Sequence, residues 1–311
     1  MKTLKQRIAM LFILLIAATL GFSATANAAP TLADLAAQVQ TLADAVKLLA
    51  VTNANQQKTI KGLQLSNDVL SAKLQCVSSL SGGADFIFEG CNVHVRNGLG
   101  STPTTNQYGN LIIGYNRNDE YVPRPGSHNI IVGDSHSYAS YGGIVSGTRN
   151  VISGANATAL SSIESTITGT NGAVLGGNLG YVPVPAVIIG GSRNRVGPSG
   201  YFGVVVGGEE NEEDGRNAVV VSGASNKAVG GGSLVGGGEA NRAFSAVSVV
   251  CGGTGNSANG DVSSISGGLY NVANGSWSSV SGGASNSANG DYSSILGGNG
   301  NVVNTVYGTS P

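Results

Sequence analysis

Apolar and polar residues repeat with a period of fifteen through the C-terminal half of the chain. In each repeat a β-branched residue follows a small residue by two positions, so on one strand the two side chains face the same side. β-Branching favours strand over helix. A fixed short period predicts a stack of like units, here a parallel β-solenoid whose unit is a strand, a Gly-Gly corner, a short second strand and a glycine corner. The branched position holds Val205, Val220, Val235, Val250, Ile265, Val280 and Ile295.

Two further positions of the repeat predict its corners. A glycine three residues before each asparagine predicts a backbone with positive φ or a close approach of two chain segments. The asparagine itself favours a turn that visits the left-handed region. The glycines are Gly208, Gly223, Gly238, Gly253, Gly268, Gly283 and Gly298, and the asparagines are Asn211, Asn226, Asn241, Asn256, Asn271, Asn286 and Asn301.

Less regular repeats begin at Asn110, so we assign residues 110–311 to a β-roll of about twelve or thirteen rungs. At ~4.8 Å per rung the stack would be roughly 60 Å long. The period stretches at residues 117–127, 179–185 and 195–201, where we expect loops. A fifteen-residue coil with one or two branched side chains encloses little core. This thinness indicates that several chains share one interior.

A heptad repeat precedes the solenoid, and we assign residues 29–79 to a coiled-coil stalk. Seven heptads hold their register without a stutter, which is a strong signal for helices that wind around one another. Asn53, Gln56 and Asn67 are polar positions in the seam that fix register and chain number at some cost in stability. The heptads predict an oligomer and do not by themselves select three chains. Position a holds Leu32, Val39, Val46, Asn53, Ile60, Asn67 and Leu74, and position d holds Leu35, Leu42, Leu49, Gln56, Leu63, Leu70 and Val77.

The first 28 residues have the pattern of a secretory signal peptide. Basic residues precede an apolar stretch at residues 8–20, which is shorter than a typical membrane-spanning helix. Ala26-Asn27-Ala28 then offers a cleavage site. A single N-terminal anchor helix is the alternative, which the small and polar residues after Gly21 disfavour. We expect an exported mature chain without a membrane span, located outside the cell or on the outer surface of a bacterial cell.

Residues 80–109 form a junction without clear repeats. Cys76 and Cys91 lie near its two ends, and in an exported protein we expect a disulfide between them. Two free buried thiols and an interchain bridge are the alternatives. Cys251 occupies a repeat position otherwise filled by serine or valine, and is expected to be a small, inert filler.

Composition and charge narrow the function. The 311 residues include 49 glycines and only 11 % charged residues, with a net charge of −1, which gives no electrostatic reason to expect nucleic acid or anionic membranes as partners. His128 and His136 with Asp134 favour a solvated pair over a metal site, and the acidic run 209–214 favours a solvated corner over a calcium site. The glycine runs fit corners rather than nucleotide loops, and no serine has a histidine-acid partner pattern. We therefore expect no enzyme activity, cofactor or metal.

The repeat S-x-[VI]-x-G-G-x-x-N-x-A-x-G resembles the head repeats of trimeric autotransporter adhesins, the YadA-like head family. The resemblance covers about residues 110–306 and is most specific over 218–304. It implies a left-handed parallel β-roll of three intertwined chains, whose shared trimer core would take the seven β-branched residues named above. Three departures limit it: the period is longer than the family's, the coiled coil precedes the roll, and the family's C-terminal membrane anchor does not follow it. Anchorage and self-transport are therefore not carried over.

Two classes of function fit these expectations. The first is a trimeric head-and-stalk, adhesin-like protein that binds a surface, glycan or matrix weakly but many times over. The second is a purely structural extracellular fibre or spacer without ligand, whose open roll end could stack on another roll. Aromatic and polar residues clustered on one exposed patch would favour binding, and a uniform flank would favour a spacer. Loop tyrosines are the candidate ligand contacts, unless the loops only cover the roll: Tyr115, Tyr121, Tyr138, Tyr141, Tyr181 and Tyr201.

Overall fold

The computed structural model describes residues 31–79, 85–118 and 123–311. The predicted signal peptide and Tyr121 therefore lie outside the described residues. The chain divides into two compact units, one that ends at Val93 and one from His94 to Pro311.

The first unit contains one long helix, α1 (Leu32–Lys73). Thr31 caps its start: the Thr31 hydroxyl accepts the Asp34 N–H at 3.2 Å, and the Asp34 carboxylate accepts the Thr31 N–H at 3.0 Å. This reciprocal pair satisfies amides that the first turn of a helix leaves open. No residue of α1 is buried. Within the described ranges, no helix combines the length and apolar character needed to cross a bilayer.

The helix ends before the predicted end of the stalk. A turn follows Lys73, and β1 (Val77–Ser79) then pairs antiparallel with β2 (Phe86–Phe88). A disulfide joins Cys76 to Cys91, whose Cα atoms are 5.9 Å apart. The heptad pattern extends through Val77, but it carries no information about the pairing with β2, which gives this segment an extended backbone instead.

The second unit is a parallel β-solenoid of about 13 turns, with two parallel sheets along its length. The fourteen-stranded sheet contains β3 (Leu111–Ile113), β4 (Ile130–Asp134), β6 (Ile144–Thr148), β8 (Thr158–Ile163), β10 (Ala173–Leu175), β12 (Val187–Ile189), β14 (Val204–Val206), β16 (Val219–Val220), β18 (Leu234–Val235), β20 (Val249–Val250), β22 (Ser264–Ile265), β24 (Ser279–Val280), β26 (Ser294–Ile295) and β28 (Thr309–Ser310). The twelve-stranded sheet contains β5 (Ser137–Tyr138), β7 (Val151–Ile152), β9 (Thr166–Ile167), β11 (Tyr181–Val182), β13 (Arg195–Val196), β15 (Glu212–Glu213), β17 (Lys227–Ala228), β19 (Arg242–Ala243), β21 (Ser257–Ala258), β23 (Val272–Ala273), β25 (Ser287–Ala288) and β27 (Val302–Val303).

The strand register follows the sequence period. Val204 pairs with Val219 and Val219 pairs with Leu234, so from β14 onwards each step along the sheet is one fifteen-residue repeat. Residues 179–185, which we predicted to be a loop, instead contain β11, paired with β9 and β13. Pro183 and Pro185, the prolines in that segment, both follow the two-residue strand, so they are compatible with its pairing.

The interior of the solenoid is filled by the side chains of a single chain. The seven branched residues for which we predicted a core shared between chains are only 0–1 % exposed within one chain. Small residues such as Ala218, and alanines of the second sheet such as Ala228, are buried with them. The thin-coil expectation is therefore corrected, because alanine and asparagine complete the core and no second chain is needed to bury the branched residues.

The repeat asparagines are buried, and we call them the inner asparagine ladder. The Asn256 Oδ1 accepts the Asn271 N–H at 2.9 Å, while Asn256 Nδ2 donates to the carbonyl oxygens of Gly252 and Gly268, both at 3.0 Å. The residue before each asparagine has the positive φ instead, as at Tyr270 with 53°. The predicted left-handed asparagine is therefore wrong. The ladder comprises Asn194, Asn211, Asn226, Asn241, Asn256, Asn271, Asn286 and Asn301.

The prediction for the repeat glycines is confirmed on both of its grounds. Their φ angles lie between 77° and 93°. A Cβ added to Gly253 would collide with the Gly268 carbonyl oxygen of the next turn and lie 2.6 Å from Asn256 Nδ2. Glycine is therefore required where turns approach each other beside the inner asparagine ladder.

Replacing Gly253 by alanine should destabilise the solenoid by at least about 2 kcal/mol, because a left-handed backbone and a close carbonyl both oppose the new methyl group. Gly252→Ala is the matched control, since a Cβ there meets no atom within 4 Å. Chemical denaturation of the full chain, followed by circular dichroism, measures both variants. Equal unfolding midpoints for the two variants would contradict this account of the glycine.

Candidate binding surfaces

The outward side of the fourteen-stranded sheet is largely apolar over its first ten strands, β3 to β20, with Ser146 and Thr158 as polar exceptions. At ~4.8 Å between strands this surface is roughly 45 Å long. Its larger side chains, such as Ile113 and Ile189, are 37–53 % exposed. We call it the apolar face, and it comprises Leu111, Ile113, Ile130, Val132, Ile144, Leu160, Leu175, Val187, Ile189, Val204, Val206, Val219, Val221, Leu234 and Val249.

The apolar face has a definite end. From β22 onwards the same outward positions hold mainly hydroxyl side chains, as at Ser264, Ser266, Ser279 and Ser281, with the exposed Leu296 as the apolar exception. Cys251 lies exposed at the boundary. Parallel sheets are normally covered on both sides, and an apolar patch of this extent is typical of an interaction surface. The sequence therefore divides the outward side of the sheet into an apolar part, which we expect to be covered, and a part rich in hydroxyl groups, which can face water.

A second surface runs along a corner of the last four turns, and we call it the ladder corner. Trp277, Tyr292 and Tyr307 stack with ring centroids 5.0 and 4.9 Å apart and planes tilted by 2° and 16°. A row of asparagines runs beside them, in which the first three each donate from Nδ2 to the next Oδ1 at 2.7–2.8 Å: Asn259, Asn274, Asn289 and Asn304. These seven side chains form two parallel rows, one aromatic and one of amides.

The aromatic row stands on strained backbone. Trp277, Tyr292 and Tyr307 have φ of 56°, 58° and 57°, a region that costs an ordinary residue about 1–2 kcal/mol. The same position in four earlier turns holds Asn217 and Gly232, which adopt this backbone at lower cost, and then Val247 and Val262, both at φ 56°. Stacking offsets part of the cost, at about 0.5–1.5 kcal/mol per ring pair. The large exposed side chains of the aromatic row therefore occupy a position where glycine or asparagine would leave the backbone less strained.

The predicted tyrosine contacts do not share one surface. Tyr138 is buried, and its hydroxyl accepts the Asn116 amide at 3.0 Å, so it is corrected from ligand contact to core residue. Tyr115 is 93 % exposed, and Tyr181 packs under the Arg195 guanidinium at 5.7 Å. Tyr141 and Tyr201 lie in other turns. The ladder corner was missed, although the fifteen-residue spacing of Trp277, Tyr292 and Tyr307 was a visible signal.

The ionisable residues have structural partners. Glu212 pairs with Arg195 at 3.2 Å and with Lys227 at 2.8 Å on successive strands of the second sheet. His136 is fully buried in the place of a ladder asparagine, with Nδ1 accepting the Asn150 N–H at 3.3 Å, and burial lowers the pKa of His136. Across the described ranges, no three His, Cys, Asp or Glu side chains are grouped to hold a metal ion.

Comparison with known proteins leaves these surfaces as the basis for inferring function. No protein family model matches the chain, and no curated protein matches its sequence. The apolar face and the ladder corner are therefore interpreted from their own chemistry.

Glu213 is an exception inside the core. It stands at the position that alanine fills in later turns, it is 0 % exposed, and neither carboxylate oxygen has a hydrogen-bond partner. A Cβ at Gly203 would overlap its carboxyl group, so glycine there makes room for it. Burial raises the pKa of Glu213 to about 8, and the Asp214 charge adds to the rise. The carboxyl group is therefore neutral at pH 7.

The buried Glu213 makes stability depend on pH. Because its pKa is raised on folding from 4.5 to about 8, its contribution is full below pH 4.5 and is lost as pH rises from there to 8. Glu213→Ala should remove that loss and stabilise the chain at pH 8.5 by roughly 2–5 kcal/mol. The control is Glu239→Ala, which removes an exposed carboxylate. Denaturation midpoints between pH 5 and 8.5 that fall equally in both variants would contradict this role of Glu213.

Proposed function

We propose that the protein is a secreted or cell-surface, adhesin-like homotrimer that binds a surface, glycan or matrix through many weak contacts. The observation that carries the proposal is that one chain leaves two long apolar surfaces uncovered, the heptad positions of α1 and the apolar face of the solenoid. The sequence pattern of a signal peptide supports export.

The two uncovered surfaces call for the same occupant, further copies of this chain. The large apolar side chains at the heptad positions of α1 are between 47 % (Ile60) and 91 % (Leu32) exposed. Heptad seams are normally buried against like helices. The apolar face is identical on every copy and carries no charged side chain.

Three chains are the number that the YadA-like resemblance implies. The place of the shared core changes, because Val205 and its six counterparts are buried inside each coil. In the proposed trimer the apolar face takes that role, and the seam residues Asn53, Gln56 and Asn67 fix the register of the helices. The copies pack as three closed coils in this arrangement, and no coil needs to exchange its interior with another.

Binding is favoured over a spacer by the ladder corner. Aromatic and amide side chains gather there on one exposed strip, which is the arrangement that we expect of a ligand surface. The alternative, a structural fibre or spacer without ligand, predicts a uniform flank. Three copies of the corner on one particle would let weak contacts add.

Charges placed on the apolar face should break the trimer. The double variant Val219→Asp, Leu234→Asp should sediment as a smaller species, because paired chains cannot bury unpaired carboxylates. Ser264→Asp, Ser279→Asp is the matched control on the hydroxyl part of the same sheet. A bismaleimide should cross-link wild-type chains through Cys251, the free cysteine beside the apolar face, and this product should be lost in the first variant alone. Cross-linking and mass that stay the same in both variants would contradict the proposed interface.

The trimer should also be retained longer than the disrupted variant on glycan- or matrix-coated surfaces. Loss of multivalency lowers avidity by about 10²–10⁴-fold, and surface plasmon resonance measures the dissociation. A wild-type trimer that is retained on none of these surfaces would favour the spacer.

A further inference from the structure

We propose that the ladder corner binds an extended, uncharged, β-1,4-linked polysaccharide that lies along the solenoid axis. The inference rests on the proposed binding function, and it names the ligand class and the place of contact. The proposal is based on the regular pairing of an aromatic row with an amide row on the same exposed strip.

The spacing of the two rows suits such a polymer. Successive rings lie 5.0 and 4.9 Å apart, which follows from the ~4.8 Å spacing of strands. An extended β-1,4-linked glucopyranose chain advances by nearly the same distance per sugar. Successive sugars of such a chain are turned over relative to one another, so every second sugar presents the same edge to side chains two turns further along, and the contacts stay in register over several sugars.

The hydrogen-bond donors and acceptors of the ladder corner match sugar hydroxyls. At the ladder corner, Asn274 uses one N–H and one oxygen lone pair for Asn289 and Asn259, at 2.7 and 2.8 Å. Its primary amide then keeps a second N–H and a second lone pair for a ligand. The oxygen of Asn289 also accepts the Ser287 hydroxyl at 2.7 Å, so Asn289 offers a ligand its second N–H alone. Because the rings stack face to face, a ligand meets their edges and their polar tips, the Tyr292 and Tyr307 hydroxyls and the Trp277 indole N–H.

The charge of the strip favours a neutral polymer. Asp261 and Asp291 are the carboxylates of these turns, and one oxygen of each accepts a backbone N–H, from Ala246 at 3.2 Å and from Ser276 at 2.8 Å. Lysine and arginine are lacking from Asn259 to Tyr307. Nucleic acids and sulfated glycans, which need cations, are therefore poor ligands for this corner.

The rows are also ordered before any ligand arrives. Stacking fixes the rings, and the amide hydrogen bonds fix the asparagines, so little side-chain freedom is lost on binding. The same contacts hold successive turns together, as in other stacked sheets. The test must therefore separate a loss of binding from a loss of stability.

The test is isothermal titration of the full mature chain with cello- and chito-oligosaccharides of two to six sugars. Affinity should rise about tenfold or more from two sugars to four and then level off, since the ladder corner spans four turns. Tyr292→Ala, which removes the central ring, should weaken tetrasaccharide binding about tenfold. Tyr270→Ala is the matched control, because Tyr270 is 60 % exposed at φ 53° on another corner, and its loss should leave binding unchanged.

The two sugar series distinguish two modes of recognition. Equal affinity for both would assign the contact to the sugar backbone that they share. A preference for the chito-series would assign part of the contact to its acetamido group. The proposal is overturned if neither series binds, if affinity does not depend on chain length, or if Tyr292→Ala lowers the melting temperature without changing affinity. Sedimentation of the same samples and their retention on other surfaces test the proposed trimeric binding function separately. A trimer that is retained on another surface but binds neither sugar series would overturn only the ligand proposed here.

Discussion

The hydrogen bonds of the inner asparagine ladder hold the solenoid in register, and the other features of the structure depend on that register. Each side-chain oxygen accepts the backbone N–H of the next asparagine at 2.9–3.0 Å. Each side-chain nitrogen donates to glycine or serine carbonyl groups of its own turn and the next, as Asn226 does to Ser222 and Gly238, both at 2.9 Å. In a buried site these bonds reinforce one another, and a partner that is lost leaves a costly unpaired group. A turn therefore cannot slip by one residue without breaking the ladder.

A closed and fixed interior frees the outer positions for other uses. Val220 faces inward while Val219 and Val221 face outward on the same short segment, so each turn can add two outward apolar side chains without changing its core. Repetition then turns single side chains into surfaces: ten strands make the apolar face, and four turns make the ladder corner. The change from valine to serine after Cys251 shows that the outer positions vary independently of the core.

Much of the fold could be predicted from the period alone. The two-residue spacing of small and branched positions predicts the inward face, and the invariant glycine predicts the tight approach of successive turns. The burial of the asparagines could not be predicted, because a turn and a buried ladder select the same short amide. The expectation of a core shared between chains followed from that error, since the repeated asparagine and alanine positions were left out of the interior. His136 shows the same limit, as its role is set by Asn150 and Val132 and not by other histidines. The ladder corner could be recognised in the sequence only as a repeated position, whereas the predicted ligand contacts were placed in the loops.

Sedimentation equilibrium of the mature chain, from Ala29, tests the central claim most directly: that the apolar face and the heptad seam of α1 are covered by further copies of the same chain. The account predicts the mass of three chains. The mass of two chains would keep the stalk and contradict the trimer. The mass of one chain would contradict the claim itself, because both apolar surfaces would then face water.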